Sequence, residues 1–214
     1  MAKRDETKRK IAEAFIGLVE RNPIEKVSVA MLVEEMGINR KTFYYHFSDK
    51  SDLIVWIFRN RLARLLSGQF SPDQLMAPDP ASGDTYPRLP HYVRVKLGIR
   101  SLDQSDFFKT LVRVFTEHRD YYLKVFDAPD GMFAKYLAKL YQPSFESDIE
   151  FILGGRSFAP ESAQFLATYY LAASLAMTRQ LLEHPATSDD IDQFLNIAHE
   201  GMRHAIEDHP MRRR

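Results

Sequence analysis

The segment INRKTFYYHF, residues 38–47, combines cationic, hydroxyl-bearing and aromatic side chains and contains no carboxylate. Arginine and lysine can donate hydrogen bonds to guanine edges in the major groove of DNA, and the threonine methyl can meet thymine. Tyrosine hydroxyls and histidine N–H groups can hold phosphates. The residue types therefore indicate a surface that can contact both the base edges and the phosphates of DNA.

The orientation of this segment follows from a helical wheel at about 100° per residue. Phe43 and Phe47 lie one turn apart and should face the core, which directs Tyr45 to solvent. The alternative is that the polar aromatic residues pack against the next helix, which is the commoner fate of any single aromatic residue. Under the first interpretation the outward side chains are Arg40, Lys41, Thr42, Tyr44, Tyr45 and His46.

Two short amphipathic helices should precede this segment, because apolar residues recur at helical spacing. Asn22-Pro23 ends the first helix, and Ser28 is placed to cap the second. Gly37 suits the left-handed turn that follows, and Asn39 can cap the third helix. This layout is a helix-turn-helix with a preceding helix that completes its core. The two apolar faces comprise Ile11, Phe15, Leu18 and Val19, then Val29, Leu32, Val33 and Met36.

The remaining chain also reads as helical. One long helix is predicted from Asp49 to Phe70, and residues 71–90 hold five of the eleven prolines and should form a loop. Four to five further helices follow, without convincing strand alternation. We therefore expect an all-α protein with an N-terminal three-helix bundle over residues 1–50, a bridging helix at 49–70 and a larger helical regulatory and dimerisation domain over 71–214.

The stretch SVAMLVEEMGINRKTFYYHFSDKSDLI resembles the DNA-binding signature of the TetR/AcrR family of bacterial transcription regulators in helix lengths, turn, Tyr-x-His-Phe ending and following lysine. The resemblance covers about residues 7–66. The resemblance places Arg40, Lys41, Thr42 and Tyr45 in or beside the major groove. It places four further residues near phosphates, namely Ser28, Tyr44, His46 and Lys50. Many members carry a small residue at the position of Lys41, so base preference should differ. The DNA-binding candidates are Ser28, Asn39, Arg40, Lys41, Thr42, Tyr44, Tyr45, His46 and Lys50.

Aromatic residues concentrate in the C-terminal part, where residues 107–170 contain 15 of the 26 in the chain. A helical bundle lined in this way either leaves a pocket for an apolar or aromatic small molecule or is a filled core. The family resemblance implies an inducer that releases DNA, which favours the pocket. The candidate lining residues are Phe108, Phe115, Tyr122, Phe126 and Tyr136.

Two helices predicted at roughly 160–184 and 188–208 carry apolar and small residues that need a partner surface. The resemblance places such helices in the four-helix interface of a homodimer. A two-fold dimer would also double a short DNA half-site, which predicts a roughly palindromic double-stranded operator.

Composition limits the other function classes. The formal net charge is zero, yet residues 1–66 hold 13 Lys and Arg against 9 Asp and Glu, so the N-terminal end is basic. The absence of cysteine excludes a thiolate metal site, an iron–sulfur cluster and a cysteine nucleophile. No catalytic residue, metal site or cofactor is predicted. No membrane helix and no secretory signal are recognised, so a cytoplasmic protein is expected.

Two rival classes remain open. A helical enzyme has little support, because the seven histidines show no ligand spacing such as HExxH and no phosphate-binding glycine loop or GxSxG turn is present. The second rival is a DNA-binding regulator whose C-terminal domain binds a protein partner instead of a small molecule. Nothing in the sequence decides between the latter and a ligand-responsive repressor.

Overall fold

The structure is a computed structural model that describes residues 2–154, 160–184 and 187–207. Helices dominate these residues, which confirms the all-α fold class. In chain order the helices are α1 (Ala2–Arg21), α2 (Val29–Glu35), α3 (Arg40–His46), α4 (Lys50–Gln69), α5 (Ser105–Thr116), α6 (Arg119–Phe126), α7 (Met132–Leu153), α8 (Pro160–Glu183) and α9 (Ser188–Glu207).

The N-terminal bundle forms from the expected faces and caps. Ile11, Phe15, Leu18 and Val19 are all buried, as are Leu32 and Val33. The amide of Met31 donates to Ser28 Oγ over 3.3 Å, and the amide of Lys41 donates to Asn39 Oδ1 over 2.9 Å. Gly37 has φ of 61°, a left-handed conformation that glycine adopts without steric cost. The helix-turn-helix predicted from the sequence is therefore present.

Helix α4 joins the N-terminal bundle to the rest of the molecule. Asp49 caps its first turn, where the carboxylate accepts from the amide of Asp52 over 2.8 Å. The N-terminal half buries Leu53 and Trp56 with the bundle, and farther along α4 packs on α5 and α7. One continuous helix thus contributes to both cores.

The segment between α4 and α5 was expected to be a loop over residues 71–90, and it also contains short strands. Strand β1 (Leu75–Met76) pairs antiparallel with β2 (Tyr92–Val93), and β3 (Val95–Gly98) pairs with β4 (Ser101–Asp103). Strands of two to four residues are too short to show an alternating pattern. We call residues 71–104 the connecting segment.

A buried ion pair fastens the connecting segment to α4. Arg59 is fully buried, and its Nη1 donates to both oxygens of Asp84 over 2.9 Å. Its Nη2 donates to the carbonyl oxygens of Tyr86 and Leu89 over 3.1 and 2.6 Å, while Tyr136 Oη accepts from Nη1 over 2.8 Å. These five residues form the Arg59 cluster, in which nearly every donor of a buried cation has a partner.

Helix α6 makes a second connection between the two parts of the molecule. The ammonium group of Lys124 donates to the carbonyl oxygens of Val19 and Glu20, each over 2.9 Å, at the C-terminal end of α1. Phe15 packs edge to face on Tyr121, with ring centroids 6.2 Å apart. A cation at a helix C-terminus satisfies free carbonyls and complements the helix dipole.

Candidate nucleic-acid interface

Helix α3 is the second helix of the helix-turn-helix, and we call it the recognition helix. It has a buried side and an exposed side, as predicted. Phe43 and Phe47 are 0% and 2% exposed, whereas Tyr45 on the opposite side is 68% exposed. The two phenylalanine rings lie 5.8 Å apart and Phe47 packs on Trp56 of α4. The packing of these rings fixes the rotation of the helix about its axis, so the polar side is held toward solvent.

Two cations begin the exposed side of α3. Arg40 and Lys41 are exposed, and neither forms an ion pair within residues 2–154, 160–184 and 187–207. Cations without acidic partners remain available to phosphates and to guanine edges. Thr42 lies beside them and is half-buried.

The tyrosines of α3 extend this surface toward α1. Tyr44 is 55% exposed, and the guanidinium carbon of Arg4 lies 5.3 Å from the centroid of the Tyr45 ring. This cation–π contact places the N-terminal turn of α1 beside the recognition helix. The surface therefore includes Arg4, which belongs to the basic N-terminal end of the chain.

His46 is the one outward candidate that the structure places differently. Its side chain is buried, with the residue 9% exposed, against the rings of Tyr45 and Phe47. Burial lowers the pKa of His46, and the nearby charges of Lys8 and Arg4 lower it further. The wheel put His46 at the edge of the helix, and such a wheel leaves out Lys8 and Arg4 of α1, whose charges act on this side chain. A neutral, enclosed imidazole is a weak phosphate ligand.

Lys50 and Ser28 both have structural partners. Lys50 Nζ donates to the carbonyl oxygens of Ile24 and Val27 over 3.0 and 3.2 Å, so its ammonium group holds the turn between α1 and α2. Ser28 Oγ accepts the capping hydrogen bond and its hydroxyl hydrogen is still available to donate. Asn39 is likewise exposed while its Oδ1 caps α3.

The five candidate ligand-lining residues do not share one cavity. Phe115 and Tyr122 are buried, with ring centroids 4.9 Å apart, and Phe126 packs on Phe115 at 5.4 Å. Phe115 also lines a small cavity of about 10 Å³ together with Phe108. That these residues form a ligand site stays a prediction.

The other two candidates line different cavities. Phe108 lies at an apolar cleft of about 60 Å³ between α5, α7, α8 and α9. Tyr136 lies at a cavity of about 420 Å³ between α7 and the connecting segment. Its wall combines polar residues with apolar ones, namely Asp84, Thr85 and Ser144 with Met76, Pro78, Leu140 and Pro143.

Sequence reasoning missed the Arg59 cluster. Asp84 lies in a stretch read as a loop, and its partner Arg59 is 25 residues away. One signal was available, because Arg59 occurs in the run LIVWIFRNRL and so occupies a helix that is otherwise apolar. A cation on a buried helix needs a partner, although the run does not say which carboxylate supplies it.

The described ranges, 2–154, 160–184 and 187–207, contain no group of three or more His, Asp or Glu side chains arranged to hold a metal ion. None of their helices combines the length and the apolar character that crossing a bilayer requires.

The N-terminal residues are similar to those of a known protein family. The sequence model described as "Bacterial regulatory proteins, tetR family" matches residues 11–55, which span the end of α1 to the start of α4. This match confirms the resemblance predicted from the sequence. It covers the recognition helix and the caps on both sides of it.

A curated relative and a solved structure agree with this match. The chain is 36% identical over 61 residues to the HTH-type dhaKLM operon transcriptional activator DhaS of Lactococcus lactis subsp. lactis (strain IL1403), a match that takes in 28% of this chain and 33% of the relative. The aligned region thus spans about a third of that protein's length. A solved structure of the dihydroxyacetone kinase operon activator DhaS has a TM-score of 0.56 and 19% identity, and the match covers 94% of this chain and 97% of the other. At this identity the second comparison shows a shared fold.

Proposed function

We propose that the chain is a sequence-specific transcriptional regulator that binds operator DNA through α3, because residues 11–55 match the sequence model of the tetR family of bacterial regulatory proteins. The observation that carries the proposal is the exposed, carboxylate-free side of the recognition helix. Arg40, Lys41 and Tyr45 face solvent there, while Phe43 and Phe47 anchor the opposite side. A rigidly held helix with unpaired cations is suited to the major groove.

The base contacts and the phosphate contacts should come from different residues. Arg40, Lys41, Thr42 and Tyr45 are proposed to reach base edges. Ser28, Asn39, Tyr44, His46 and Lys50 complete the proposed interface, in which the buried His46 acts by supporting the Tyr45 ring rather than by touching phosphate.

The regulator is proposed to act as a homodimer. On α8, Phe165 and Tyr169 are 68% and 59% exposed, and exposed alanines at 172, 173 and 176 continue the same side of the helix. On α9, Ile197 is 65% exposed. A second copy that covers this side would remove apolar surface from water, and a two-fold axis would then relate the two recognition helices. Three further residues continue the apolar pattern of α9 in the sequence, but their side chains lie outside the described set: Ala198, Met202 and Ile206.

The dimer is further proposed to be a repressor whose C-terminal domain binds a small molecule. An effector can release DNA only if it binds the DNA-bound and the DNA-free conformation of the protein with different affinities. Ligand and operator should therefore weaken each other's binding by the same factor. A second candidate is an activator that works with a protein partner. The relatives named above are operon activators, and Leu97 and Ile99 at the tip of the β3–β4 hairpin are 65% and 95% exposed.

Selection of bound sites from a random duplex pool tests the proposal. The expected result is a roughly palindromic sequence with two half-sites, bound by a protein that sediments as a dimer. Ala172→Glu should produce monomers and weaken operator binding, whereas Ser67→Glu, which adds the same charge to an exposed position of α4, should not. Recovery of no enriched sequence would overturn sequence-specific binding. A reporter gene behind the selected site distinguishes repression from activation.

A further inference from the structure

Lys8 of α1 lies over three aromatic rings that belong to different parts of the chain. Its Nζ is 5.0 Å from the centroid of the Phe47 ring, 5.5 Å from that of Trp56 and 5.6 Å from that of Tyr86. Phe47 follows α3, Trp56 belongs to α4, and Tyr86 belongs to the connecting segment. A cation within about 6 Å of a ring centroid is attracted by the face of the ring. One ammonium group therefore holds these three parts together.

Asp52, in the first turn of α4, connects Tyr86 to the turn that follows the recognition helix. Its Oδ1 accepts a hydrogen bond from the hydroxyl of Tyr86, and its Oδ2 accepts from the amide of Ser48 over 2.9 Å. Ser48 comes two residues after α3 ends. Burial lowers the pKa of Lys8, and the charge of Asp52 acts in the opposite direction, so the carboxylate also attracts the ammonium group. Asp52 thus fixes the turn between α3 and α4 and is itself held by Tyr86.

Tyr86 is rigidly held through its backbone. Its amide donates to Asp84 Oδ1 over 2.7 Å, and its carbonyl oxygen accepts from Nη2 of the buried Arg59 over 3.1 Å. The amide of Leu89 donates to the same carbonyl over 3.1 Å. Burial and the hydrogen bond to Asp52 raise the pKa of the Tyr86 hydroxyl, so the group remains a donor at physiological pH. The Arg59 cluster therefore provides a fixed base from which this hydroxyl reaches α4.

The contacts of Lys8 and Tyr86 lie apart from the proposed DNA surface. Phe47 is buried and anchors one side of the recognition helix, whereas Tyr45 on the opposite side is exposed. Lys8 is half-buried over the Phe47 ring, and the Tyr86 hydroxyl is engaged by Asp52. Both residues also lie outside residues 11–55, the range that the tetR sequence model matches. An effect of either residue on DNA binding would therefore be indirect.

The recognition helix depends on such anchors because it has only seven residues. A helix of this length gains little stability from its own hydrogen bonds, so packing and the adjoining turns determine its orientation. Hydrogen bonds to base edges weaken steeply when donor and acceptor are misaligned. If only a fraction of the molecules hold the helix in the correct orientation, the apparent affinity for DNA falls by that fraction.

We propose that Lys8 and Tyr86 are positioning residues for DNA binding, which hold the C-terminal end of the recognition helix from α1 and from the connecting segment without contacting DNA. The connecting segment then supports the recognition helix as α4 does. This inference rests on the proposed function, because it concerns the affinity for operator DNA. It goes beyond that function because it assigns a role in binding to two residues that are not part of the DNA surface.

Operator affinity of the full chain, measured by fluorescence anisotropy with labelled duplex, tests the role of Tyr86. Tyr86→Phe removes only the hydroxyl bound to Asp52 and should weaken operator binding about fivefold, because fewer molecules then hold the helix in place. The matched control is Tyr141→Phe, which removes a buried hydroxyl that has no hydrogen-bond partner among the described residues and should bind like the parent chain. Urea unfolding of each variant measures stability separately. Reduced stability of Tyr86→Phe with the operator affinity of the parent chain would show a purely structural role and overturn the proposal.

The salt dependence of operator binding tests the role of Lys8. Lys8→Met keeps the length of the side chain and should weaken binding severalfold without changing the slope of log affinity against log salt, because no phosphate contact is lost. Lys8→Arg retains a cation that can stack on the rings and should restore most of the affinity. Lys10→Met, which removes an exposed lysine from the same helix, should bind within about twofold of the parent chain. A slope reduced by about 0.9 in Lys8→Met would assign Lys8 to a phosphate and overturn its role as a positioning residue.

The double variant tests whether the two residues act on the same end of the helix. Residues that share a contact are energetically coupled, so Lys8→Met combined with Tyr86→Phe should weaken binding by a factor that differs from the product of the two single effects. A factor equal to that product would overturn the shared role. Operator binding by the parent chain with no change in either single variant would refute this inference alone. No binding of the parent chain to any selected duplex would refute the proposed function as well.

Discussion

Phe47 packs edge to face on Trp56, with ring centroids 5.6 Å apart. Phe47 is the residue that follows α3, and Trp56 belongs to α4, which extends into the C-terminal part of the molecule. Both residues are buried. A rotation of α4 must therefore carry the C-terminal end of the recognition helix with it, because close-packed rings transmit displacement rather than absorb it.

Substitutions on the two sides of α3 should separate stability from DNA binding. Phe43→Ala removes a ring that is 0% exposed and should lower the free energy of unfolding by about 3–5 kcal/mol. Tyr45→Ala removes a ring that is 68% exposed, so it should change the free energy of unfolding by less than about 0.5 kcal/mol. The same substitution should weaken operator binding. Urea unfolding and fluorescence anisotropy measure the two quantities. Equal loss of stability in both variants would contradict the orientation of α3.

Lys41→Ala should weaken binding to the selected operator more than binding to unrelated duplex. A lysine at a guanine edge contributes about 1–3 kcal/mol of discrimination, whereas a phosphate contact acts on all sequences alike. The matched control is Arg64→Ala, which removes an exposed cation from α4 away from α3. Anisotropy titrations at one salt concentration provide the comparison. A uniform loss on all DNA would assign Lys41 to the phosphates.

Lys50→Ala should reduce both stability and DNA affinity. The substitution leaves the carbonyls of Ile24 and Val27 without their donor, which should cost about 1–3 kcal/mol of unfolding free energy. Operator and unrelated duplex should lose affinity equally, because a loosened turn between α1 and α2 displaces the whole bundle. Lys26→Ala, which removes an exposed lysine from the same turn, is the control and should retain the stability of the parent chain.

His91 should make the protein less stable in acid. Burial lowers its pKa from 6.5 to about 4 in the folded chain, so between these values the unfolded chain binds a proton that the folded chain does not. Stability is therefore complete above about pH 6.5 and falls toward pH 4, by about 3 kcal/mol from this group.

Urea unfolding at neutral pH and near pH 4 measures this contribution. His91→Gln should lose less stability on acidification than the parent chain, although it is less stable at neutral pH. His184→Gln, at an exposed histidine, should lose as much as the parent chain. An unchanged acid response in His91→Gln would show that the imidazole titrates freely in the folded protein.

Local sequence signals were sufficient to predict the helices and caps of the N-terminal bundle. Ser28, Gly37 and Asn39 occupy the cap and turn positions predicted for them, because capping depends on residues at most a few positions apart. The inward placement of Phe43 and Phe47 also follows from spacing alone. His46 could not be placed in this way, since its burial depends on the folded arrangement and its surroundings include the charge of Lys8 of α1, which the wheel of a single helix leaves out.

The C-terminal part depends on long-range contacts that spacing does not reveal. Its helices could be predicted from composition and periodicity, yet the pairing of Arg59 with Asp84 and of Tyr86 with Asp52 joins residues 25 and 34 positions apart. Aromatic content likewise could not distinguish the wall of a ligand pocket from a filled hydrophobic core. Phe115 and Tyr122 pack against each other, and only the folded arrangement shows that a larger open volume lies between α7 and the connecting segment.

The hydrogen bonds from Lys124 to Val19 and Glu20 limit where the chain can be truncated. A fragment that stopped at residue 50 would leave the end of α1 uncapped and would expose the apolar side that Leu53 and Trp56 cover. We expect such a fragment to aggregate rather than fold, and the intact chain to melt as one cooperative unit. Grafting this DNA-binding module onto another protein would therefore require α4 and a substitute for α6.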